Sequence, residues 1–225
     1  MYLIPIRYNA LAGSEIKVII GASLMLGAGN TSIINITAST NNYNLGTALT
    51  AAGWNGTSPV RAVVTIASGV TIGSASTSTP AFIVPSLPSG SVVSITNNGT
   101  ISGAGGTGGT ASGTGYAGGN ALQISSATTI TNNGTIAGGG GGGGGSIGYG
   151  GGGAGTVPGA PGGGTASAGT ATAGGSGSGA GGAGGGLGSA GVSMGQYYGG
   201  SPGYYVVGSA YVSWAATGTR LGSFS

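Results

Sequence analysis

The chain has 225 residues, 58 of them glycine, no cysteine, no histidine and five formally charged side chains: Arg7, Glu15, Lys17, Arg61 and Arg220. With no His, Cys or Asp and a single Glu, it cannot assemble a Ser-His-Asp triad, a Cys-His pair or a carboxylate pair, and it lacks the usual ligands of zinc and calcium. The composition therefore argues for a non-catalytic protein without metal or cofactor, and the net charge of +3, arising from missing acids, is no footprint for nucleic acid.

The first apolar stretch, Val18 to Gly29, is 12 residues long, short of the roughly 20 that a membrane-spanning helix needs, so no membrane insertion is expected there. Glu15 beside Lys17 departs from the basic start of a signal peptide. Glu15 to Ile20 and Thr31 to Thr37 are β-branched runs bounded by Gly and Asn and read as strands. Asn44 to Gly53 then offers an Asn cap, apolar residues at helical spacing and a closing Gly, the pattern of one short helix. Further strands follow over Val60 to Ile66, Val70 to Ile72, Ala81 to Val84 and Ser91 to Thr96, separated by Gly, Pro and Ser.

A repeat comes next. Ile95-Thr96-Asn97-Asn98-Gly99-Thr100-Ile101 recurs as Ile130-Thr131-Asn132-Asn133-Gly134-Thr135-Ile136, and each copy runs into a glycine tract. Asn-Gly is a hairpin-turn signal, because both central residues of a type I′ turn need positive φ. Val64 to Ile72 is a looser relative, which points to strands stacked as rungs of a β-helical or solenoid fold, although two clear copies do not establish one.

Of the 40 Ile, Leu and Val residues, 28 lie within residues 1–102, whereas residues 138–203 hold four, with 34 glycines. Side-chain burial cannot order that stretch. A Gly/Ser-rich linker behaves as random coil; the ordered alternative is a sheaf of polyglycine II helices, with three residues per turn and every backbone N–H and C=O pointing outward to a neighbour. The spacing favours the sheaf: Ala104, Thr107 and Thr110 stand three apart and share one edge of a threefold helix. Collagen would need strict Gly-X-Y runs with abundant Pro, and only Pro158, Pro161 and Pro202 lie beyond residue 102. The expected fold is mainly β plus irregular: an amino-terminal attachment domain over 1–59, a β-rich connector over 60–102 and a polyglycine II domain over 103–225.

Tyr116, Tyr149, Tyr197, Tyr198, Tyr204 and Tyr205 lie in or beside glycine tracts. A tyrosine presents a rigid apolar face and a hydroxyl at low entropic cost, so these six are candidate contact residues, with plugging of the sheaf ends as the alternative. Arg7, Glu15, Lys17 and Arg61 cluster in the front part and are candidates for docking to a partner.

The Asn-Asn-Gly-Thr-Ile units leading into glycine runs, Gly119-Asn120-Ala121-Leu122 between them and the ending Val212 to Gly222 resemble glycine-rich tail proteins of bacteriophages over about residues 60–225. The polyglycine character is similar to that of the tail-fibre adhesins of T-even-type phages, in which polyglycine II helices form a sandwich and loops at its distal edge bind an outer-membrane receptor. The resemblance implies a virion tail protein, assembled in the host cytoplasm, that recognises a bacterial outer-membrane protein or surface glycan and is held by other phage tail or fibre proteins. Such sequences occur in trimeric fibres and in single-copy tips, so a homo-oligomer stays open. Met1 to Gly53 departs from any attachment domain of that kind. The competing class is a structural protein decorating the virion without receptor binding.

Overall fold

The structure, a computed structural model, describes residues 30–225. The expected strand over Glu15 to Ile20 and the docking candidates Arg7, Glu15 and Lys17 lie outside the described residues.

Short strands alternate with corners from the start. The first rung holds β1 (Asn30–Ile36), β2 (Thr40–Asn41) and β3 (Tyr43–Asn44), and the second β4 (Val60–Ile66), β5 (Thr71–Gly73) and β6 (Phe82–Val84). The third holds β7 (Val92–Asn97), β8 (Thr100–Ser102) and β9 (Leu122–Ile124), and the fourth β10 (Thr128–Asn132), β11 (Thr135–Ala137) and β12 (Tyr204–Val207). The fifth is β13 (Val212–Ala216), β14 (Thr219–Leu221) and β15 (Ser223–Phe224). Every third strand returns to the same sheet, giving three parallel sheets ordered β1-β4-β7-β10-β13, β2-β5-β8-β11-β14 and β3-β6-β9-β12-β15. The chain thus winds as a three-sided parallel β-helix. Strands β9 to β15 lie beyond residue 102, so the carboxy-terminal part of the chain supplies the last rungs around its glycine tracts.

Alternation places the core. In β4 the residues Val60, Ala62, Val64 and Ile66 are buried while their neighbours face outward, the period of two of a half-buried strand. Parallel register then stacks like on like. Ile34, Val64, Ile95, Ile130 and Trp214 are successive partners along one sheet, and Ile72, Ile101 and Ile136 along the second. The latter stack ends on Arg220, paired with Ile136. Its guanidinium lies 4.7 Å from the Trp214 ring centre and 5.4 Å from that of Tyr205, so a cation closes an apolar stack by facing two aromatic rings. At the other end the Tyr43 and Phe82 rings stack 5.2 Å apart.

The expected helix forms as α1 (Leu45–Ala51), with the Asn44 side chain accepting from the Thr47 N–H and Gly53 beyond its end at φ +95°. Leu45 and Leu49, one turn apart, are its buried residues.

The Asn-Gly units correct one expectation. Asn98-Gly99 and Asn133-Gly134 join strands of different sheets, and none of the four residues has positive φ, so these are corners of a parallel coil and not hairpin turns. Glycine is required there by close approach: a Cβ on Gly99 would stand 2.2 Å from the Val70 carbonyl oxygen of the rung below. The preceding asparagines form a ladder across rungs. Asn97 donates to the Asn132 side chain at 2.8 Å and accepts the Gly99 N–H at 3.1 Å, and Asn132 donates to the Thr217 carbonyl at 2.9 Å. Both are buried, and the ladder supplies the corner carbonyls with the donors that burial demands.

Candidate functional site

The two glycine tracts leave the β-helix at the same corner of adjacent rungs. Residues 103–121 connect β8 to β9, and residues 138–203 connect β11 to β12. Their roots are tied to the coil by the Gly103 N–H to Ala137 carbonyl bond at 3.0 Å, the Gly138 N–H to Leu221 carbonyl bond at 3.0 Å and a hydroxyl contact between Ser102 and Thr156.

Beyond the roots, backbone hydrogen bonds recur at every third residue. Gly106, Gly109 and Ser112 donate to Gly140, Gly143 and Ser146 at 2.8, 2.8 and 2.7 Å, a parallel pairing. Ala104, Thr107 and Thr110 accept from Gly119, Tyr116 and Gly113 at 2.8, 2.9 and 2.9 Å, an antiparallel pairing on another side. Gly105 and Gly108 donate to Val157 and Ala160 on a third side, both at 2.9 Å. The Gly106 and Gly109 carbonyls in turn accept from Gly153 and Gly150, both at 2.8 Å, so this one segment meets four others, and the carbonyls of Ala104, Thr107 and Thr110 all face the same one. Glycine is imposed by proximity. A Cβ on Gly142 would lie 1.9 Å from the Thr107 carbonyl oxygen and one on Gly139 1.8 Å from that of Ala104.

At the ends remote from the coil the chain reverses at residues 110–113, 145–150, 163–166, 178–181 and 194–197, and these five turns lie together. Ser112 donates its N–H to Ser146, Tyr149 and Ser178 exchange backbone bonds at 3.2 and 2.9 Å, and a Cβ on Gly195 would come within 3.9 Å of the Ser146 hydroxyl. Tyr149 lies flat on the turn at Gly163 and Gly164, where an added Cβ would meet its ring carbons at 2.9 and 2.7 Å. Gln196 donates to the Tyr197 hydroxyl at 3.1 Å, and hydrogen bonds from Ser112 and Gln196 hold that phenol below its ordinary pKa by favouring the anion. The described charged residues, Arg61 and Arg220, lie on β4 and β14, so the turn end carries no formal charge.

The six tyrosines separate accordingly. Tyr149 and Tyr197 are half-buried at the turns, whereas Tyr116 and Tyr198 are about two-thirds exposed on adjacent segments joined by the Gly115 N–H to Tyr198 carbonyl bond. Tyr204 is an exposed residue at the start of β12, its N–H bonded to the Asn120 side chain. Tyr205 corrects an expectation: it is 7% exposed, within 6.3 Å of the Trp214 ring and 5.9 Å of the Phe224 ring, and its burial in the coil removes it from the accessible contact surface. Arg61 is exposed on the outer face of β4. Sequence reasoning passed over Ile147, which is 90% exposed. The signal was available, since an isolated aliphatic after eight consecutive glycines has no side-chain core to enter.

Among the described residues no helix is long and apolar enough to cross a membrane.

The family described as phage tail fibre adhesin Gp38 matches residues 31–225. A chain in the crystal structure of the gp37-gp38 adhesin tip complex of the bacteriophage S16 long tail fiber is similar to this one, with 29% identity and a TM-score of 0.70 over 87% of this chain and 82% of that chain. Comparison with curated proteins gives no match. A family match over nearly all the described residues, on a coil that carries a chargeless cluster of turns, fixes the assignment: the chain belongs to the phage tail fibre adhesin Gp38 family and serves in the virion tail in recognition of the host receptor.

Proposed function

We propose that the five remote turns form the receptor-binding surface and that the glycine segments carrying them are a polyglycine II sheaf. The observation that supports this most is the convergence of the turns at one end of a scaffold hydrogen-bonded every third residue. Such a scaffold needs no side chains for its own cohesion, so exposed turn residues such as Ile147 are available for contact, and binding residues held in a fixed frame lose little entropy on contact. The receptor is a bacterial outer-membrane protein or surface glycan, and the protein acts by contact, without catalysis.

The β-helix is the part that joins the virion. The neighbour's structure is a complex of two fibre proteins, which supports another tail-fibre protein as the partner here. The front of the chain, residues 1–59 with Arg7, Glu15 and Lys17, together with Arg61 on the following connector over 60–102, is the proposed docking side; residues 103–225 carry the adhesin part. Exposed Ile33 at 68% and Val92 at 50% flank Arg61 on that face of the coil, an apolar patch suited to a protein partner.

The test is adsorption of the labelled full-length protein to intact bacteria at low and high salt. A chargeless contact surface predicts saturable binding to particular strains with little change between roughly 0.05 and 0.5 M salt, because screening acts on charges. Steep loss of binding with salt would contradict this surface.

A further inference from the structure

We propose that Ile147 is the apolar anchor of the receptor contact, held outward by a backbone that Tyr149, two residues on, ties to the neighbouring turn. This rests on the reading of the turn cluster as the receptor-binding surface. Ile147 has the greatest exposure, 90%, of the described large apolar side chains. Its setting keeps it out. The Ser146 carbonyl accepts from Ser112 at 2.7 Å, Gly145 donates to Gly113 at 2.8 Å, and Tyr149 is tied to Ser178 in both directions, so the backbone on either side is pinned to two other turns. The space beneath is taken by backbone: a Cβ on the adjacent Gly148 would stand 1.8 Å from the Ser178 carbonyl oxygen. The side chain cannot fold back to cover itself.

A β-branched side chain is restricted at χ1 and so has less freedom to lose when a pocket closes around it. Its surface is then gained in full by a partner. The tyrosines are less available. One face of the Tyr149 ring is covered by the turn at Gly163 and Gly164, and the Tyr197 hydroxyl is engaged by Gln196. The matching receptor feature is a pocket lined by aliphatic or aromatic side chains, which a protein surface provides and a sugar chain does not.

The experiment compares the full-length protein with Ile147→Ser, Ile147→Val and Tyr116→Ser on intact cells of a bacterial strain panel, with and without prior protease treatment of the cells. Fully burying an aliphatic side chain corresponds to about a ten- to hundredfold change in affinity. The Ser variant should lose about that much, the Val variant should stay within about threefold, and the melting temperature should be unchanged in both because the side chain packs against nothing. Protease treatment should abolish wild-type binding. Full binding by Ile147→Ser, or wild-type binding that survives proteolysis and is lost on periodate oxidation of surface sugars, would overturn the anchor while leaving the turn surface standing. If Ile147→Ser, Ile147→Val and Tyr116→Ser all bind as wild type does, and a variant with all five turns replaced does too, the turn surface itself fails and the anchor with it.

Discussion

The β-helix and the glycine segments meet at one corner of two adjacent rungs and obey opposite packing rules. In the coil, stacked side chains such as Ile72, Ile101 and Ile136 fill the interior, and cohesion comes from apolar area removed from water. In the glycine segments the interior is backbone against backbone, and residues 138–145 are buried although they have no side chain at all. The first region is damaged by removing carbon and the second by adding it. The difference explains how one chain provides a conventional foundation and, beside it, a frame whose cohesion does not depend on exposed turn side chains such as Ile147.

The sharpest way to break this contrast is one methyl group. Gly142→Ala places a Cβ 1.9 Å from the Thr107 carbonyl oxygen, and with backbone on all sides the cost should be about 3 kcal/mol or more, the upper end of overpacking. Thermal unfolding of that variant beside Thr107→Ala, an exposed position on the facing segment, would read it; equal melting temperatures would mean that the segments are not closely packed. The reverse operation in the coil, Ile101→Ala, should cost about 3 kcal/mol through lost burial and a cavity, measured by chemical denaturation.

Smaller effects sharpen the account of the corners. Asn132→Ala leaves the Asn97 amide with one partner fewer and removes the donor to the Thr217 carbonyl, so a loss of about 2 kcal/mol is expected from buried polar groups left unpaired. Arg220→Met keeps much of the volume but removes the cation facing Trp214 and Tyr205; about 1 kcal/mol should be lost, and a double-mutant cycle with Trp214→Leu would separate the ring contact from packing.

The smallest expected effect is on pH dependence. Burial raises the Tyr43 phenol above its ordinary 10.0, so the folded state keeps a proton that the unfolded state releases. Its contribution is complete below about pH 10 and is lost as pH rises further. Tyr197, held low by its hydrogen bonds, acts with the opposite sign. Denaturant titrations from about pH 8 to 11 should show an alkaline decline that Tyr43→Phe reduces; an unchanged decline would assign it to other groups.

Much of the coil was legible because its signal is local and repeated. The copies beginning at Ile95 and Ile130 are direct partners in the sheet, and the alternation over Val60 to Ile66 is the observed burial. The Asn-Gly corners were misread because the dipeptide reports a sharp bend and not whether the next strand runs back beside the last or on to another sheet. Strands β12, β13 and β14 pair with β9, β10 and β11 across the whole glycine insertion, and a pairing of such separation leaves no local trace. Tyr204 and Tyr205 read as one pair in sequence, but adjacent residues of a strand face opposite sides, and β12 sends one outward and the other into the core. The three-residue period was visible at Ala104, Thr107 and Thr110 because those positions break the glycine run; uninterrupted glycine hides its register.

The turn cluster is the proposed surface of host recognition. It is tested most directly by binding of the labelled full-length protein to a panel of intact bacteria, beside a variant carrying Ile147→Ser, Tyr149→Ser and Tyr197→Ser and a control carrying Tyr204→Ser at the root. Saturable binding to a few strains, lost in the turn variant and retained in the control, is the expected result. Equal binding by all three proteins, each shown to be folded, would place the receptor contact elsewhere on the molecule.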